Sequence, residues 1–278
     1  MLSKVLLVVV LYKEQLYSTL TWKTLLASNV RSDRVSLYVH DNSPSSQSIS
    51  TPLCVCYYHD AENSGLSVAY NQAAQYAYNE GYDWLLLLDQ DTTFPVGALD
   101  AYLDAVDTWG DQIQVFVPQL VYQQASKPFS PVLVSSSLNV RGVFLDERFY
   151  AWNRYSVVNS GLCVHVSAFR AAGGYNEKVR LDFADFQFVE RLRRVTFGFF
   201  RIAITAEQAF SNEQCEVESL LNRFRLYIES ACHCEKASFG KRLAYFYVVL
   251  KHTLALTVRT KSLSFLGIFG KEYCLRNR

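Results

Sequence analysis

The chain has 278 residues, 50% of them apolar and 14% aromatic, so it can bury a large core and is not a low-complexity or disordered protein. Its formal net charge of +1 hides an asymmetry. Residues 1–218 carry sixteen Lys and Arg against twenty-three acids, whereas residues 219–278 carry eleven against three. This pattern predicts that the basic end meets an anionic partner such as a membrane surface; the alternative is a solvated helical face.

The seven cysteines and the first residues bear on the compartment. The opening segment has no small-residue cleavage site, which favours a reduced, cytoplasmic chain. The C-x-C pairs Cys54/Cys56 and Cys232/Cys234 are closer together than usual zinc ligands, so buried thiols are favoured over a metal site. No apolar stretch reaches the ~18–20 residues that a membrane span needs.

The first third of the chain alternates short β-rich runs with helical patterns, and this alternation predicts a parallel sheet covered by helices on both faces. Ligands bind such sheets at the carboxyl ends of the strands. The polar clusters "HDNS", "AENSG" and "DQD" each follow a predicted strand, which indicates a binding site at that edge. The predicted elements are strands Val5–Tyr12, Val35–Val39, Cys54–Tyr58 and Trp84–Leu88, with a helix at Ser67–Glu80.

The run "LLLLDQD" ends a buried strand on two carboxylates, Asp89 and Asp91. In extended chain their side chains point the same way, roughly 6–7 Å apart. Neighbouring carboxylates repel unless water or a divalent cation neutralises them, and Mg²⁺ or Mn²⁺ uses such acids together with phosphate oxygens. The pair therefore indicates a metal that holds a diphosphate. The alternative is a strand-end turn residue followed by a helix cap.

Five blocks together resemble the family 2 glycosyltransferases of the GT-A fold, most closely the bacterial rhamnosyltransferases of surface polysaccharide and O-antigen synthesis. In order they are "HDNSPSS", "ENSGLSVAYNQA", "YDWLLLLDQDTTFP", "VNSGLCVHVSAFRAAGGYNE" and "LDFADFQFVERLRR", and the likeness spans roughly residues 4–195. The resemblance implies an α/β, Rossmann-like, mostly parallel sheet flanked by helices. It implies a catalytic domain at 1–218, with a nucleotide-sugar half at 1–92 and an acceptor half at 93–218, and a helical basic tail at 219–278.

The resemblance also implies an activity, which is inverting transfer of a sugar from a nucleotide-sugar donor to a hydroxyl of a lipid-linked glycan. The best candidate donor is deoxythymidine-diphosphate rhamnose, and the best candidate acceptor is a glycan on a polyprenyl diphosphate. Galactofuranose, glucose or N-acetylglucosamine transfer is the alternative within this class. A non-catalytic protein that binds nucleotide sugars or glycans is the alternative outside it.

On the donor side, the resemblance implies that Asp41 contacts the nucleobase, that Asp89 faces the ribose or the metal, and that Asp91 binds Mg²⁺ or Mn²⁺ directly. Relatives often place a His after the final strand, but "AITAEQAFSNE" has none, so Glu207, Gln208 or water would complete the metal shell. Further donor-binding residues are expected at Asn42, Asn63 and Asn71.

On the acceptor side, the segment Val158–Glu177 is predicted as a strand, a Gly-Gly turn of positive φ and an acidic helix start. Asn159, Ser160 and Gly161 would lie on that strand, where a sugar can approach the backbone, with a strand bulge as the alternative. The resemblance adds Arg191 to this acceptor side.

Two acids compete for the role of general base. Asp182 and Asp185 would share one face at a helix start. Asp185 is six residues before Arg191, the interval that the family has between its base and its arginine, so Asp185 is the expected base. Asp182 is the alternative base or a helix cap. Ala184 and Gln187 stand where the family usually has acids.

The tail interleaves aromatic and basic residues, as in "KRLAYFYVVLKHTLALTVRTK". Apolar stripes with basic flanks are typical of helices in a membrane interface, which predicts peripheral attachment to the inner face of the cell membrane. A helical cap on the catalytic body and a homodimer surface are the alternatives. No nucleic acid partner is expected, because no recognised binding module is present.

Overall fold

A computed structural model of the chain describes residues 2–26, 33–209 and 217–275. Short helical turns lie at Leu16–Ser18, Trp22–Leu26 and Phe269–Cys274. The helices are α1 (Leu66–Asn79), α2 (Ala98–Trp109), α3 (Val166–Ala171), α4 (Ala184–Leu192), α5 (Val217–His233), α6 (Phe239–Thr260) and α7 (Ser264–Ile268). The strands are β1 (Val5–Leu11), β2 (Val35–Asp41), β3 (Cys54–His59), β4 (Trp84–Asp89), β5 (Thr92–Thr93), β6 (Val115–Tyr122), β7 (Pro128–Ser130), β8 (Val132–Val134), β9 (Val140–Gly142), β10 (Arg148–Ala151), β11 (Tyr155–Ser156), β12 (Leu162–His165) and β13 (Gly198–Gln208).

Within the described residues, ten of the strands form one mixed sheet with the order β10-β13-β6-β12-β4-β1-β2-β3, β5 pairing with β13 and β7 with β6. Strands β4, β1, β2 and β3 run parallel to one another, and β12 enters antiparallel between β4 and β6. The first half of the sheet therefore has the parallel arrangement that its continuous apolar runs predict.

The sheet is buried on both faces, and its central strand β1 is apolar at every position. Alternate residues of β1 enter opposite cores: Leu7 and Val9 pack on the side of α2, and Leu6 and Val8 pack on the side of α1, α3 and α4. At roughly 25 cal/mol per Å² of apolar area, this double burial supplies much of the driving force for folding. Helices on both sides confirm the predicted layered architecture.

Beyond the sheet, β11, β8 and β9 form a small three-stranded sheet, and the last three helices form a core of their own with the segment Phe269–Cys274. Phe183 joins this helical core to the body, because its ring packs on Tyr227 and Tyr245. One face of the tail therefore packs on the sheet-containing body of the protein, as the helical-cap alternative expects. The predicted domain boundary at residue 218 stays a prediction.

The five predicted elements of the first third are confirmed with small differences at their ends, and Gly173 and Gly174 have the predicted positive φ of 78° and 62°. Two local predictions are wrong. The segment Asn159–Gly161 forms a turn before β12 instead of lying on it, and α3 occupies the place between that strand and the glycines. The acidic helix begins only at Ala184.

Candidate active site

The parallel strands β1, β2 and β4 end at the same edge of the sheet. In the register of the sheet, Leu11 lies beside Asp41, and Val10 lies beside Asp89. Asp89 ends β4, and Asp91 follows in the tight turn to β5. The expected extended pair is therefore wrong in backbone geometry, since the turn, not the strand, positions the second acid. The two carboxylates are still close enough to interact electrostatically.

The surroundings of Asp89 and Asp91 disfavour their negative charge. Burial, followed by the charge of Asp91, raises the pKa of Asp89 to about 7. Burial also raises the pKa of Asp91, although the amide of Gln208 donates a hydrogen bond of 2.8 Å to its Oδ1. Tyr70 donates to Asp89 Oδ1 at 3.3 Å. These neutral donors only partly stabilise the two charges.

Asp185 lies in the first turn of α4, close enough to Asp89 for the two carboxylates to interact electrostatically. Asn159 donates its amide hydrogen to Asp185 Oδ1 at 2.5 Å, and Tyr175 donates to the amide oxygen of Asn159 at 2.5 Å. The ionised carboxylate can only accept, so the amide nitrogen of Asn159 faces Asp185 and its amide oxygen faces the hydroxyl of Tyr175. Burial, followed by the charge of Asp89, raises the pKa of Asp185 to about 7.

The three carboxylates thus share one site. The rings of Tyr70 and Tyr175, which lie between Asp89 and Asp185, pack at 5.3 Å, and the charge of Asp89 contributes to the raised pKa of Asp185. Within the described ranges, none of Asp89, Asp91 and Asp185 forms an ion pair with a Lys, Arg or His. A cleft with unneutralised acids suits a cationic or strongly hydrogen-bonding ligand.

Asp41 has a different environment from the other acids. Its side chain is buried at the end of β2 and accepts hydrogen bonds from Ser43 N, Gln47 Nε2 and Tyr57 Oη at 2.8–3.0 Å. Burial opposes its charge, but these three donors outweigh burial and lower the pKa of Asp41. Asp41 is therefore a permanent anion that organises the loop after β2.

The three asparagines expected on the donor side differ in what they contact. Asn42 is buried, and its amide oxygen has no hydrogen-bond partner among the described residues. Asn63 has a positive φ of 53°, and its carbonyl accepts from Arg180. Asn71 on α1 uses its whole amide within the protein, bonding the backbone of Tyr175 in both directions at 2.8 and 3.0 Å. Of the three, Asn42 keeps an unused acceptor.

On the predicted acceptor side, Asn159 alone reaches the acids. Ser160 is buried and shares a hydrogen bond of 2.6 Å with Thr92. Gly161 has φ +77°, and its carbonyl accepts from Tyr102 at 2.6 Å. These two residues hold the turn in place. They bring the backbone after β4 and the turn before β12 together.

Arg191 lies at the other end of α4 from the acids. Its guanidinium donates to the carbonyl of Gly174 at 2.7 Å and pairs with Glu235. It therefore ties the Gly-Gly turn and the tail to α4.

Asp182 precedes α4 and is not on the helix, so the expected shared helical face with Asp185 is wrong. It also makes no cap, because no side chain caps α4. Asp182 instead pairs with Arg223 of α5 at 2.9 Å. This ion pair links the loop before α4 to the tail.

Sequence reasoning missed three residues of the site. Tyr70 and Tyr175 connect the acids, but tyrosines in apolar helical patterns give no sign of such a role. Glu14 is a further acid of this edge, since burial and then the charge of Asp91 raise its pKa. Of the two candidates at the end of β13, Gln208 contacts Asp91, whereas the side chain of Glu207 is exposed. The strand register of β13 against β5 explains the difference.

The mixed sheet flanked by helices is the GT-A fold of glycosyltransferases. The chain belongs to glycosyl transferase family 2. The model of this family matches residues 7–153, which are just over half of the chain. Among curated proteins, none is significantly similar to the chain in sequence.

Solved glycosyltransferases share this fold at low sequence identity. GalNAc-T7 with UDP, GalNAc and Mn²⁺ gives a TM-score of 0.59 at 14% identity, over 81% of this chain and 47% of that one. The mannosyltransferase PcManGT from Pyrobaculum calidifontis, with GDP-Man and Mn²⁺, gives a TM-score of 0.54 at 14% identity. The match covers 98% of this chain and 80% of that one. S. aureus TarS 1–349 with UDP gives 0.53 at 12% identity, over 94% and 74%. The chain thus spans about half the length of the GalNAc-T7 structure.

Proposed function

We propose that the protein transfers a sugar, with inversion, from a nucleoside-diphosphate donor to a hydroxyl of an acceptor glycan. The observation that carries the proposal is that Asp89, at the carboxyl edge of the sheet, interacts electrostatically both with Asp91 and with Asp185. Single displacement needs two groups: the pair Asp89 and Asp91 would act on the leaving group, and the separate carboxylate of Asp185 would act on the nucleophile.

A divalent cation fits the paired acids. Asp89 and Asp91 offer hard oxygen ligands, have raised pKa values and have no ion pair in the described parts of the chain, which is the donor set that Mg²⁺ or Mn²⁺ prefers. No group of three or more His, Cys, Asp or Glu among the described residues is placed to hold a metal. The remaining ligands would come from the donor phosphates, Gln208 or water. When bound, the cation stabilises negative charge on the leaving diphosphate. Mn²⁺ in the GalNAc-T7 and PcManGT structures supports this assignment.

Asp185 is the proposed general base. The carboxylate accepts the proton of the acceptor hydroxyl as the oxygen attacks the sugar carbon, and the bond from that carbon to the diphosphate breaks. Asn159 holds Oδ1 of Asp185 by its amide, which leaves Oδ2 for the hydroxyl. A pKa near 7 suits a base that works at neutral pH. Asp182 is the weaker candidate because Arg223 occupies its carboxylate.

On the donor side, we assign Asp41 and Asn42 to the nucleoside, and Asn63 to the loop beside it. We place rhamnose first among the sugars, on the likeness of the sequence blocks to rhamnosyltransferases. Galactofuranose, glucose and N-acetylglucosamine remain the alternatives. The described side chains around the acids carry no feature that selects among these sugars.

The acceptor is proposed to be a glycan on a polyprenyl diphosphate, which the protein would reach from the inner surface of the cell membrane. The support is the outer face of α6. None of the helices in the described ranges is long and apolar enough to cross a bilayer. However, six apolar side chains of α6 are exposed and fall within about 120° of arc at 100° per residue. They are Phe239, Leu243, Phe246, Tyr247, Leu254 and Val258.

The test is a screen of nucleotide sugars with a lipid-linked acceptor, each with Mn²⁺, with Mg²⁺ or with EDTA. We expect one sugar to be transferred with inverted anomeric configuration, and we expect the reaction to stop in EDTA. Asp91→Asn should weaken metal-dependent donor binding by at least about tenfold, because it removes a charged ligand. Metal-dependent donor binding without turnover for any acceptor would instead identify a binding protein.

A further inference from the structure

A cavity lies on the opposite side of α4 from Asp185, between α4, the small three-stranded sheet and α6. It measures about 190 Å³, far more than the space one water needs. Asp185 and Gln187 are two residues apart on α4 and therefore about 200° apart around the helix. The cavity is thus about one helix diameter, roughly 10 Å, from the proposed base. Its apolar wall includes Val134, Val140, Phe183, Phe186, Tyr245 and Val248.

Three polar residues also line this cavity, and their buried atoms lack partners. Gln187 is 4% exposed and Ser156 is 2% exposed. The amide oxygen and nitrogen of Gln187, the hydroxyl of Ser156 and Nε of Arg193 have no hydrogen-bond partner among the described residues. A buried unsatisfied polar group costs about 1–3 kcal/mol, so four such atoms beside one cavity require bound water or a ligand.

The hydrogen-bonding requirements of these atoms limit the chemical class of the ligand. The amide oxygen of Gln187 needs a donor, its nitrogen and Nε of Arg193 need acceptors, and the hydroxyl of Ser156 can do either. A hydrocarbon satisfies none of them, and a carboxylate cannot satisfy the amide oxygen. A hydroxyl both donates and accepts, so a ligand with several hydroxyls satisfies all four atoms in the same way as the water that it would displace.

The charged side chains at the rim are paired with one another and partly exposed to water, so none of them requires a charged ligand. Glu190 pairs with Lys241 and Arg193, and Glu235 pairs with Arg191 and Arg194. Every charged side chain that lines the cavity therefore has an ion-pair partner, although its three bases outnumber its two acids. The rings of Phe183, Phe186 and Tyr245 add apolar faces to the same wall.

Phe183 also has an unusual backbone. Its φ of 67° and ψ of −7° lie in the left-handed region, which bulky residues avoid. Such conformations persist where the surroundings enforce them, and they cluster at binding and catalytic sites. Phe183 therefore both precedes the helical turn that contains Asp185 and lines this cavity.

We infer that this cavity binds a sugar residue of the acceptor glycan, away from the residue that carries the reacting hydroxyl. A sugar is a neutral polyol with an apolar face, and it meets both the hydrogen-bonding and the aromatic requirements of the wall. The binding step stands on the cavity alone, and only the link to the acceptor rests on the proposed function. The cavity would then recognise the acceptor chain at a second point, on the far face of the helix that carries the base.

The test is saturation-transfer NMR of the full-length protein with a panel of methyl glycosides of rhamnose, galactose, glucose and N-acetylglucosamine. We expect at least one glycoside to bind without donor or metal. Gln187→Leu should weaken that binding by about tenfold or more, since it removes both amide contacts at unchanged size. It should also raise the urea midpoint of the protein without glycoside, because an unsatisfied buried amide disappears.

Gln119→Leu is the matched control for stability. Gln119 is equally buried, but its amide bonds Ser130, Val143 and Leu145, so the same substitution there should lower the urea midpoint. The inference is overturned if no glycoside binds, if Gln187→Leu binds it equally well, or if Gln187→Leu destabilises the protein as Gln119→Leu does. Donor binding without glycoside binding would overturn this inference alone, whereas glycoside binding without donor binding or transfer would overturn the proposed function alone.

Discussion

Asp89 and Asp185 are the residues at which stability and proposed chemistry oppose each other. Each has a pKa of about 7, because burial and a neighbouring acid disfavour the charge. A protein gains nothing in stability from such a pair. Strongly perturbed acids that converge in a cleft are instead typical of sites that bind cations or move protons.

This arrangement predicts a pH dependence of stability. The folded pKa of about 7 for Asp89 and Asp185 lies above the ordinary value of 3.8, so the folded chain binds more protons than the unfolded chain between those pH values. The contribution of these acids to the free energy of unfolding is therefore full below pH 4 and is lost as the pH rises through about 7. Urea denaturation in EDTA at pH 5 and pH 8 measures this loss. Asp185→Asn should make it smaller, and an unchanged loss would contradict the assigned pKa.

The same residues predict how activity depends on the base. Asp185→Asn should keep donor affinity and lower the transfer rate by roughly 10²–10⁴-fold, the usual contribution of a general base. In the wild type, kcat/KM should rise with pH through about 7 as Asp185 loses its proton. Asp182→Asn is the matched control, because Arg223 already occupies that carboxylate. Full activity in Asp185→Asn with loss of activity in Asp182→Asn would move the assignment to Asp182.

At the scale of elements, the turn at Gly161 joins the two halves of the site. A Cβ there would meet Pro118 and Tyr102 at 2.6 and 2.7 Å, so the turn has no room for a side chain. Gly161→Ala should lower the free energy of unfolding by more than the ~1–2 kcal/mol that positive φ alone costs. It should also slow transfer, because the turn carries Asn159. Denaturation and rate measurements check both effects.

Gly97→Ala is the matched control for that prediction. Gly97 has φ +78°, close to the +77° of Gly161, and a Cβ there would meet nothing within 4 Å. The difference between the two variants isolates the steric contribution. Equal destabilisation of both variants, with normal transfer in Gly161→Ala, would show that the turn does not hold the site.

The elements show where prediction from the sequence succeeds and where it stops. The apolar runs of β1, β2 and β4 fix the strands, and the parallel arrangement brings Asp41 and Asp89 to one edge, because the carboxyl ends of parallel strands coincide. Local pattern therefore predicts the half of the site built by the sheet. It is enough to place the donor side.

The acceptor side depends on long-range contacts that no local pattern contains. Asn159 meets Asp185 across 26 positions of sequence, and Asp182 leaves the helical face because Arg223, 41 positions later, binds it. The side-chain amide of Asn71 is used by the loop at Tyr175, 104 positions away. Residue type and spacing indicate that these side chains are polar and grouped, but they do not determine their partners.

At the scale of the whole molecule, the tail has two faces with different tasks. Tyr245 and Val249 of α6 are buried, and Lys241 pairs with Glu190 of the body. Deletion of residues 241–278 would therefore uncover apolar core as well as remove the proposed membrane surface. Substitution on the exposed face separates the two tasks.

The outer face of α6 gives the last prediction, which concerns attachment to membranes. The helix is about 33 Å long at 1.5 Å per residue, and its exposed apolar stripe lies beside Arg242 and Lys251, a pattern that suits the interface of an anionic bilayer. A quadruple variant with Gln at the stripe should lose flotation with phosphatidylglycerol vesicles but keep its fold and its transfer to a soluble acceptor.

The control places Gln at equally exposed apolar positions of the body. Flotation unchanged in the stripe variant would exclude this face as the membrane surface, and a shift from dimer to monomer would identify it as a subunit interface. The stripe positions are Leu243, Tyr247, Leu254 and Val258, and the control positions are Val96, Phe144, Phe149 and Phe197.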